Sequence, residues 1–182
     1  MDEVTYKGLT FVPYIMREEI AKQVKRVAEE IKRDYQDESP LFLCVLNGAF
    51  MFAADLFRAC DIPDAEITFI RYKSYEGTHS SGNVREIMGL TQDITDRSVV
   101  IVEDIVDTGV TAQQLRNELL KHNPKQVVMA TLLFKPDSLT VGTPPEYVGF
   151  EIPSKFILGY GLDLDELGRN LADIYVLKEQ KS

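Results

Sequence analysis

The sequence predicts an α/β fold with an open, mainly parallel sheet flanked by helices. Continuous apolar runs at Leu41–Leu46, Val99–Val102 and Val127–Phe134 are typical of strands that are buried on both faces. Segments with helical spacing of apolar residues separate these runs, and this order of elements favours right-handed parallel crossovers. With 182 residues, 45% of them hydrophobic, the chain is expected to form one domain, residues 1–182.

The first part of the chain contains an amphipathic helix and a strand-turn-helix unit. After a partly extended N-terminal segment, Arg17–Tyr35 places apolar residues three or four positions apart, which indicates a helix. Asp37–Pro40 ends this helix. The strand Leu41–Leu46 then runs into Asn47-Gly48 and a second helix from about Ala49 to Arg58. Considered alone, Asn47-Gly48 is best interpreted as a plain turn.

A third strand and a polar segment follow. Glu66–Tyr72 has the β-branched and aromatic content of a strand. Lys73–Asn83 is polar and is typical of a mobile loop or a hairpin tip. Its composition leaves open whether it is a solvated connection or a functional lid.

The most informative stretch is Ser98–Leu115. Its buried strand is expected to stop at two carboxylates, Glu103 and Asp104, at the edge where open parallel sheets bind their ligands. The hydroxyl-rich turn Asp107-Thr108-Gly109-Val110-Thr111 follows and opens a helix. The apolar residues of that helix share one face: Ala112, Leu115 and Leu119.

This turn has the features of a phosphate site. Free backbone N–H groups at a helix N-terminus, the helix dipole and the hydroxyls of Thr108 and Thr111 suit a phosphate monoester. Glu103 and Asp104 can accept hydrogen bonds from sugar hydroxyls and help to hold a divalent cation, directly or through water. A sugar phosphate would therefore suit both halves of the motif.

Two simpler interpretations of this motif compete with a functional one. Adjacent acids also occur at Asp2-Glu3 and Glu29-Glu30, so such a pair is often only a solvated surface. A Thr-Gly pair at a helix start is often merely a cap. The buried strand before Glu103 and the turn after Asp104 favour the functional interpretation.

The last part of the chain contributes one buried strand and a region rich in aromatic residues. Lys135 follows the strand Val127–Phe134 immediately and places a cation at the ligand-binding edge, although such a lysine is more often a surface residue. Tyr147–Tyr160 is dense in β-formers and aromatic residues, which usually indicates core. Ile174–Leu177 is expected to be a closing strand, and the charged tail Lys178–Ser182 is expected to fray.

Charge and composition argue against several classes of protein. The net charge of −9 argues against a nucleic-acid-binding protein, whose affinity comes largely from Lys and Arg. An acidic protein with a polyanionic substrate needs a cation between them, which indicates magnesium. The apolar runs are too short to cross a bilayer and the N-terminus lacks signal-peptide features, so we expect a cytoplasmic protein without membrane association. Cys44 and Cys60 lack metal-type spacing and are interpreted as small core residues.

The segment Val100–Thr111 resembles the phosphoribosyl-diphosphate (PRPP) signature of type I phosphoribosyltransferases. It has the apolar strand, two acids, two apolar residues and Asp-Thr-Gly-x-Thr of that signature. Matches to hypoxanthine-guanine phosphoribosyltransferases extend from Leu46 to Arg169, over most of the chain. The resemblance implies the type I phosphoribosyltransferase fold, with a small base-binding hood formed by the N-terminal segment and about residues 147–182.

The resemblance further implies an enzyme of purine salvage, with a role for each residue of the motif. It would transfer the 5-phosphoribosyl group from PRPP to hypoxanthine or guanine and release IMP or GMP plus pyrophosphate, as a homodimer or homotetramer. Glu103 and Asp104 would engage the ribose hydroxyls, and the turn Asp107–Thr111 would hold the 5′-phosphate. Asp107 would also act as general acid/base at the purine N7, and Lys135 would read the oxygen at position six of the base.

Further assignments by resemblance concern the base and the pyrophosphate. Phe156 would stack on the purine, and the Ile157 backbone would hydrogen-bond its edge. Asn47, Gly48 and Arg169 would form the pyrophosphate site, whose loop often contains a non-proline cis peptide in this family. This chain departs from the usual pattern, because Asn47 stands where a lysine or arginine is usual.

The resemblance also implies a metal site and a flexible loop. Asp163 would join Glu103 and Asp104 in holding Mg²⁺. Ser74 and Tyr75 would belong to a loop that closes over the reacting centre and excludes water.

Three alternatives remain open at this point. A related phosphoribosyltransferase could prefer xanthine or another base. A PRPP-sensing regulator should show a basic face or an appended DNA-binding domain, and the sequence has neither. A phosphoryl-accepting receiver domain also places acids at strand ends, but it does not require a phosphate cradle after them.

Overall fold

The computed structural model describes residues 2–73 and 86–178, in which helices are interspersed among the strands. The elements of the first half are β1 (Val4–Tyr6), β2 (Leu9–Ile15), α1 (Arg17–Tyr35), β3 (Leu41–Val45), α2 (Phe50–Cys60), β4 (Glu66–Lys73) and β5 (Glu86–Met88). The elements of the second half are β6 (Ser98–Val106), α3 (Val110–Leu120), β7 (Gln126–Phe134), a 3₁₀ turn (Pro136–Ser138), β8 (Tyr147–Glu151), β9 (Ile157–Leu158) and β10 (Ile174–Leu177).

The larger sheet has the strand order β5-β4-β3-β6-β7-β8 and confirms the predicted open, mainly parallel α/β fold. All neighbouring strands are parallel except the edge strand β5, which pairs antiparallel with β4. Alternate residues of the central strands pack against α1 and α2 on one face and against α3 on the other. Because both faces of β3 are covered, all five of its residues are buried, which explains its continuous apolar sequence.

The strand of the central motif is longer than its apolar pattern indicates. β6 does not stop before Glu103 but continues to Val106, so the prediction that the acid pair follows the strand is wrong. The strand continues because β7 goes on pairing with it, through Glu103↔Thr131 and Val106↔Phe134. On the other side the ladder with β3 ends at Cys44↔Val102. Both acids therefore lie on rigid strand backbone at the point where the neighbouring strand has ended.

A smaller antiparallel sheet, with the order β1-β2-β10-β9, joins the two ends of the chain. Arg17 ties this sheet to the start of α1, because its backbone N–H and its guanidinium both donate to the buried Asp173 carboxylate. The expected lower limit of the hood, near residue 147, is wrong. Tyr147–Glu151 pairs in parallel with β7 and is the sixth strand of the larger sheet, so only later residues join the N-terminal strands.

Two further features of the described residues are the character of the helices and the state of the two cysteines. None of the helices in residues 2–73 and 86–178 combines the length and apolar character needed to cross a membrane. Cys44 and Cys60 are fully buried free thiols, as expected for core residues. Burial raises the pKa of each thiol to about 12, so neither forms a reactive thiolate near neutral pH.

Candidate active site

A cavity of about 260 Å³ lies at the carboxyl edge of the larger sheet, between the end of β6 and the start of α3. Most of the residues predicted for ribose and phosphate binding line it together: Glu103, Asp104, Asp107, Thr108, Gly109 and Thr111. The side chain of Val45 at the end of β3 lines the same cavity. The structure thus assembles one concave site from the stretch that the sequence singled out. Val110 lies beside it as the first residue of α3.

The turn before α3 is shaped for an anion rather than for capping by its own side chains. Gly109 is the N-cap residue with φ +81°, and a glycine has no side chain that could cap the helix. Because neither threonine occupies the N-cap position, the interpretation of the Thr-Gly pair as a mere cap loses support, and N–H groups at such a helix start suit an anion. A Cβ on Gly109 would lie 2.2 Å from the Val141 carbonyl oxygen, so the turn requires glycine here.

The segment after β7 braces this turn from outside. The Thr108 carbonyl oxygen accepts hydrogen bonds from the N–H of Thr140 at 3.0 Å and from the N–H of Val141 at 3.1 Å. These bonds fix the peptide orientation of the turn. This segment begins with Lys135. The same segment therefore carries the residue predicted to bind the base and supports the turn predicted to bind the phosphate.

The two carboxylates of the acid pair are buried next to each other, which disfavours their charged forms. Burial, together with the negative charge of Asp104, raises the pKa of Glu103 well above its ordinary value of 4.5. Burial also raises the pKa of Asp104, although a hydrogen bond from the Ile105 N–H and the charge of Arg169 oppose the rise. A cation or a set of hydroxyl donors in the cavity would relieve both carboxylates.

Replacing Glu103 by glutamine is expected to stabilise the ligand-free protein at neutral pH. Because the pKa of Glu103 is raised in the folded state, the folded protein binds more protons than the unfolded chain between the two pKa values. Stability therefore falls as pH rises through that window, and glutamine removes this loss. The thermal midpoint should exceed that of the wild type by roughly 2–4 °C at about pH 8 and converge with it near about pH 4.

The matched control for this prediction is Glu146→Gln. Burial alone would raise the pKa of Glu146, but hydrogen bonds from the Arg116 guanidinium and the Met129 N–H lower it below 4.5. The Glu146 carboxylate therefore contributes stability above its ordinary pKa that is lost on acidification, and Glu146→Gln should destabilise at neutral pH. Equal signs for the two variants at neutral pH would contradict the assignment for Glu103.

Asp107 and Lys135 form an ion pair at the rim of the cavity. The Lys135 ammonium donates to Asp107 Oδ2 at 2.8 Å, and the lysine side chain is only 10% exposed while that of Asp107 is 45% exposed. An ammonium carries three N–H donors, so this bond leaves capacity for a ligand oxygen. The predicted proton-transfer group and the predicted base-reading group therefore lie next to each other.

The Asn47-Gly48 loop is packed directly against the acid pair. The Leu46–Asn47 peptide is cis, a geometry that the resemblance makes frequent in this loop but does not fix for this chain. A Cβ on Gly48 would lie 1.6 Å from Asp104 Oδ2, and a Cβ on Gly161 would lie 2.2 Å from the Gly48 carbonyl oxygen. The backbone of Gly48 therefore packs against the side chain of Asp104 on one side and against the backbone of Gly161 on the other.

Arg169 closes the same side of the site. Its guanidinium donates to the Gly161 carbonyl oxygen at 2.7 Å and pairs with Asp163 and Glu166 at 2.9 Å each. Its positive charge also reaches Asp104, whose pKa it lowers. The two parts of the predicted pyrophosphate site, far apart in sequence, therefore meet in the fold.

The donor set of the site suits a divalent cation that is shared with a phosphorylated ligand. Within the described part of the chain, no three acidic, histidine or cysteine side chains form a cluster that could hold a metal ion. Glu103, Asp104 and Asp163 therefore do not make a metal site by themselves. Asp163 uses one oxygen on Arg169 and the other on the Glu166 N–H. One or two carboxylates completed by water and substrate oxygens is the coordination that Mg²⁺ usually adopts.

The predicted base-binding residues lie beyond the end of β7. The Ile152 N–H donates to the Phe134 carbonyl oxygen at 2.8 Å, so the end of β8 lies beside the strand that leads to Lys135. Phe156, four residues after Ile152, is 47% exposed. Its ring centroid lies 6.0 Å from that of Phe11. Ile157 is in β9, one of the two edge strands of the smaller sheet. Ser74 and Tyr75 lie outside the described residues.

A larger cavity of about 470 Å³ lies elsewhere, between α1, α2 and the segment before β10. Its lining is largely apolar, and it contains none of the predicted site residues. We assign the functional site to the smaller cavity because carboxylates, hydroxyls and a helix N-terminus converge there.

Two residues next to the site were missed by sequence reasoning. Gly161 could not be distinguished from other glycines, because its role depends on the close approach of Gly48. Arg71 lies at the carboxyl end of β4 and donates to Asn47 Oδ1 at 3.0 Å. Arg71 lies within the predicted strand Glu66–Tyr72, so the signal that selected Lys135, a cation directly after a strand, does not select it.

Comparison with known proteins gives one consistent family. The phosphoribosyl transferase domain model matches residues 16–165. The hypoxanthine-guanine phosphoribosyltransferase of Aquifex aeolicus is 38% identical over 181 residues, covering 98% of this chain and 100% of that protein. The Lactococcus lactis protein of the same name is 40% identical over 167 residues, covering 91% and 90%.

Solved structures agree with the sequence relatives. A Staphylococcus aureus hypoxanthine phosphoribosyltransferase matches with a TM-score of 0.85 at 33% identity, covering 92% of this chain and 91% of that one. The Trypanosoma cruzi hypoxanthine phosphoribosyl transferase matches with a TM-score of 0.84 at 33% identity, covering 96% and 94%. That structure concerns the role of the C-terminal region in the oligomeric state and activity of the T. cruzi enzyme.

Proposed function

The chain belongs to the phosphoribosyl transferase domain family, among relatives that are hypoxanthine-guanine phosphoribosyltransferases, and from this premise we propose its reaction and the role of each site residue. It is a pentosyltransferase of purine salvage. The reaction transfers the 5-phosphoribosyl group of PRPP to N9 of hypoxanthine or guanine. The C1–oxygen bond to pyrophosphate breaks and the C1–N9 bond forms. The base would give up its imidazole N–H proton to Asp107, and pyrophosphate and IMP or GMP are released.

The observation that carries the proposal is the single cavity shared by the acid pair and the turn before α3. The N–H groups and hydroxyls of the turn would hold the 5′-phosphate, and Glu103 and Asp104 would accept hydrogen bonds from the ribose hydroxyls. Such binding would fix the position of ribose C1 with respect to Asp107 and Lys135. Because the transition state of such a displacement is cationic at the sugar, catalysis depends mainly on positioning and on charge stabilisation.

We further propose Mg²⁺ as the cofactor and a homodimer or homotetramer as the assembly. Mg²⁺ would be held by Asp104 and Asp163 together with substrate oxygens, and it would neutralise charge on the departing pyrophosphate. Glu103, which is more deeply buried, would act on the ribose and support the metal through water. Size-exclusion chromatography with light scattering tests the assembly.

Replacement of Lys135 by glutamine is expected to weaken base recognition. Lys135 would donate to the oxygen at position six of the purine, and loss of a charge-assisted hydrogen bond should raise KM for hypoxanthine and guanine about 10- to 100-fold. KM for PRPP should change by no more than about threefold, because the phosphate cradle does not depend on the lysine charge. Steady-state kinetics with each substrate varied in turn measures both values.

Lys25→Gln is the control for this prediction. The Lys25 side chain is 78% exposed on α1, away from the site. If Lys135→Gln and Lys25→Gln had the same KM for both purines, the proposed role of Lys135 in base recognition would be contradicted.

The direct test of the proposed function is incubation of the purified chain with PRPP, Mg²⁺ and one purine base at a time. Hypoxanthine, guanine, xanthine and adenine are compared by chromatography of the nucleotide and by release of pyrophosphate. We expect IMP and GMP to form and adenine to be rejected. Nucleotide formation only with xanthine or adenine would overturn the assigned specificity, and no nucleotide with any base would overturn the function.

A further inference from the structure

A cation lies beside the Asn47 loop although position 47 is itself neutral. Arg71 Nη2 donates to Asn47 Oδ1 at 3.0 Å. Arg71 follows the Val45↔Ile70 pair, and the Leu46 N–H donates to the Ile70 carbonyl oxygen at 2.8 Å. The end of β4 is thereby fixed against the start of the loop. Arg71 is solvent-exposed at this carboxyl edge, where ligands of parallel sheets bind.

Among the side chains that the structure describes, the other charges at this edge leave a pyrophosphate group poorly compensated. Glu103 and Asp104 repel a phosphorylated ligand unless a cation intervenes. Lys135 is paired with Asp107 at 2.8 Å, and Arg169 is paired with two acids at 2.9 Å each. In a chain of net charge −9, a leaving group with several negative charges needs local positive charge.

We propose that Arg71 binds the pyrophosphate group of PRPP and that Asn47 holds its guanidinium in position. This inference rests on the proposed function. A guanidinium has five N–H donors in a planar fork, more than the Asn47 oxygen can use, and the fork matches phosphate oxygens. A basic residue at position 47 would bring the charge on the loop itself. In this chain the neighbouring strand supplies the charge and the loop supplies the anchor.

The test compares Arg71→Gln with a variant that moves the charge. Arg71→Gln should raise KM for PRPP and the inhibition constant of pyrophosphate about 10- to 100-fold, because a charge-assisted bond to phosphate is lost. KM for hypoxanthine should change by less than about twofold, since the base subsite is unaltered. The double variant Asn47→Lys/Arg71→Gln restores a cation at the loop and should recover most of the loss. Arg71→Lys keeps the charge without the fork and should be intermediate.

Arg33→Gln is the matched control, because Arg33 is an exposed arginine on α1 whose partner is the adjacent Asp34. Thermal unfolding of every variant separates a binding effect from a folding effect. An Arg71→Gln enzyme with wild-type values for PRPP and pyrophosphate, or a double variant with no recovery, would overturn the role of Arg71.

Calorimetric titration with magnesium pyrophosphate measures pyrophosphate binding directly, so it tests the role of Arg71 without depending on turnover. If the wild type forms no nucleotide, the proposed function fails, whereas the titration still compares wild type with Arg71→Gln. If the wild type is active and the two proteins bind pyrophosphate equally, only the inference about Arg71 fails.

Discussion

Replacing Gly48 by alanine is expected to lower kcat/KM for PRPP by about 10²- to 10³-fold while the protein remains folded. The added Cβ would lie 1.6 Å from Asp104 Oδ2 and 2.6 Å from its Cγ, so one of the two residues must move. Asp104 is anchored, because its Oδ1 accepts a hydrogen bond from the Ile105 N–H at 2.8 Å. The loop cannot retreat either, because Gly161 packs directly against the Gly48 carbonyl oxygen.

The consequence is a displaced carboxylate at the centre of the site rather than a disrupted core. If Asp104 positions the reacting sugar as proposed, a displacement of its carboxylate by about 1 Å is enough for a loss of this size. Steady-state kinetics with PRPP varied, together with circular dichroism and the thermal midpoint, measures the two effects separately.

Gly8→Ala is the appropriate control for the glycine change itself. Gly8 has φ +78° and no neighbour within 4 Å of an added Cβ, so alanine there introduces backbone strain without a clash. We expect a modest loss of stability and wild-type kinetics. If Gly48→Ala had the same profile as Gly8→Ala, the packing of the loop against Asp104 would have no part in catalysis.

The parts of the fold that the sequence predicts are those in which burial is uniform. The runs at β3, β6 and β7 are apolar because the sheet is covered on both faces, and they were identified for that reason. The hydrophobic pattern could not show that β6 continues through Glu103 and Asp104. That extension depends on pairing with β7, in which a polar residue can take part as well as an apolar one.

Long-range register explains the remaining differences. The aromatic content of Tyr147–Glu151 predicts a strand but does not specify its sheet, which is decided by parallel pairing with β7. Arg71 and Asn47 are 24 residues apart in the chain, and they meet only because β3 and β4 are in parallel register. Motif reasoning finds the acid pair and the phosphate turn because their residues are contiguous. It misses partners that the sheet brings together.

Replacing Asp107 by asparagine is expected to reduce kcat by about 10²- to 10⁴-fold and to leave PRPP binding largely intact. Asp107 lines the cavity with its side chain 45% exposed, so its carboxylate is accessible to a bound base. An amide of the same shape can still accept a hydrogen bond from Lys135, but it cannot take or return the purine N7 proton. The proposed phosphate cradle would consist of backbone N–H groups and threonine hydroxyls, which the substitution leaves unchanged. Single-turnover rates and the dissociation constant of PRPP by calorimetry measure the two effects.

Two further variants decide whether the loss arises from proton transfer or from the broken ion pair. Asp137→Asn changes an exposed carboxylate in the 3₁₀ turn after Lys135 and should keep wild-type kinetics. Lys135→Gln removes the same ion pair from the other side. If the ion pair were the cause, Lys135→Gln would lower kcat as much as Asp107→Asn does. If Asp107 transfers the proton, Lys135→Gln should act mainly on KM for the base, and only Asp107→Asn should abolish most of the turnover. If kcat of Asp107→Asn stayed within about threefold of the wild-type value, a group other than Asp107 would have to transfer the purine N7 proton.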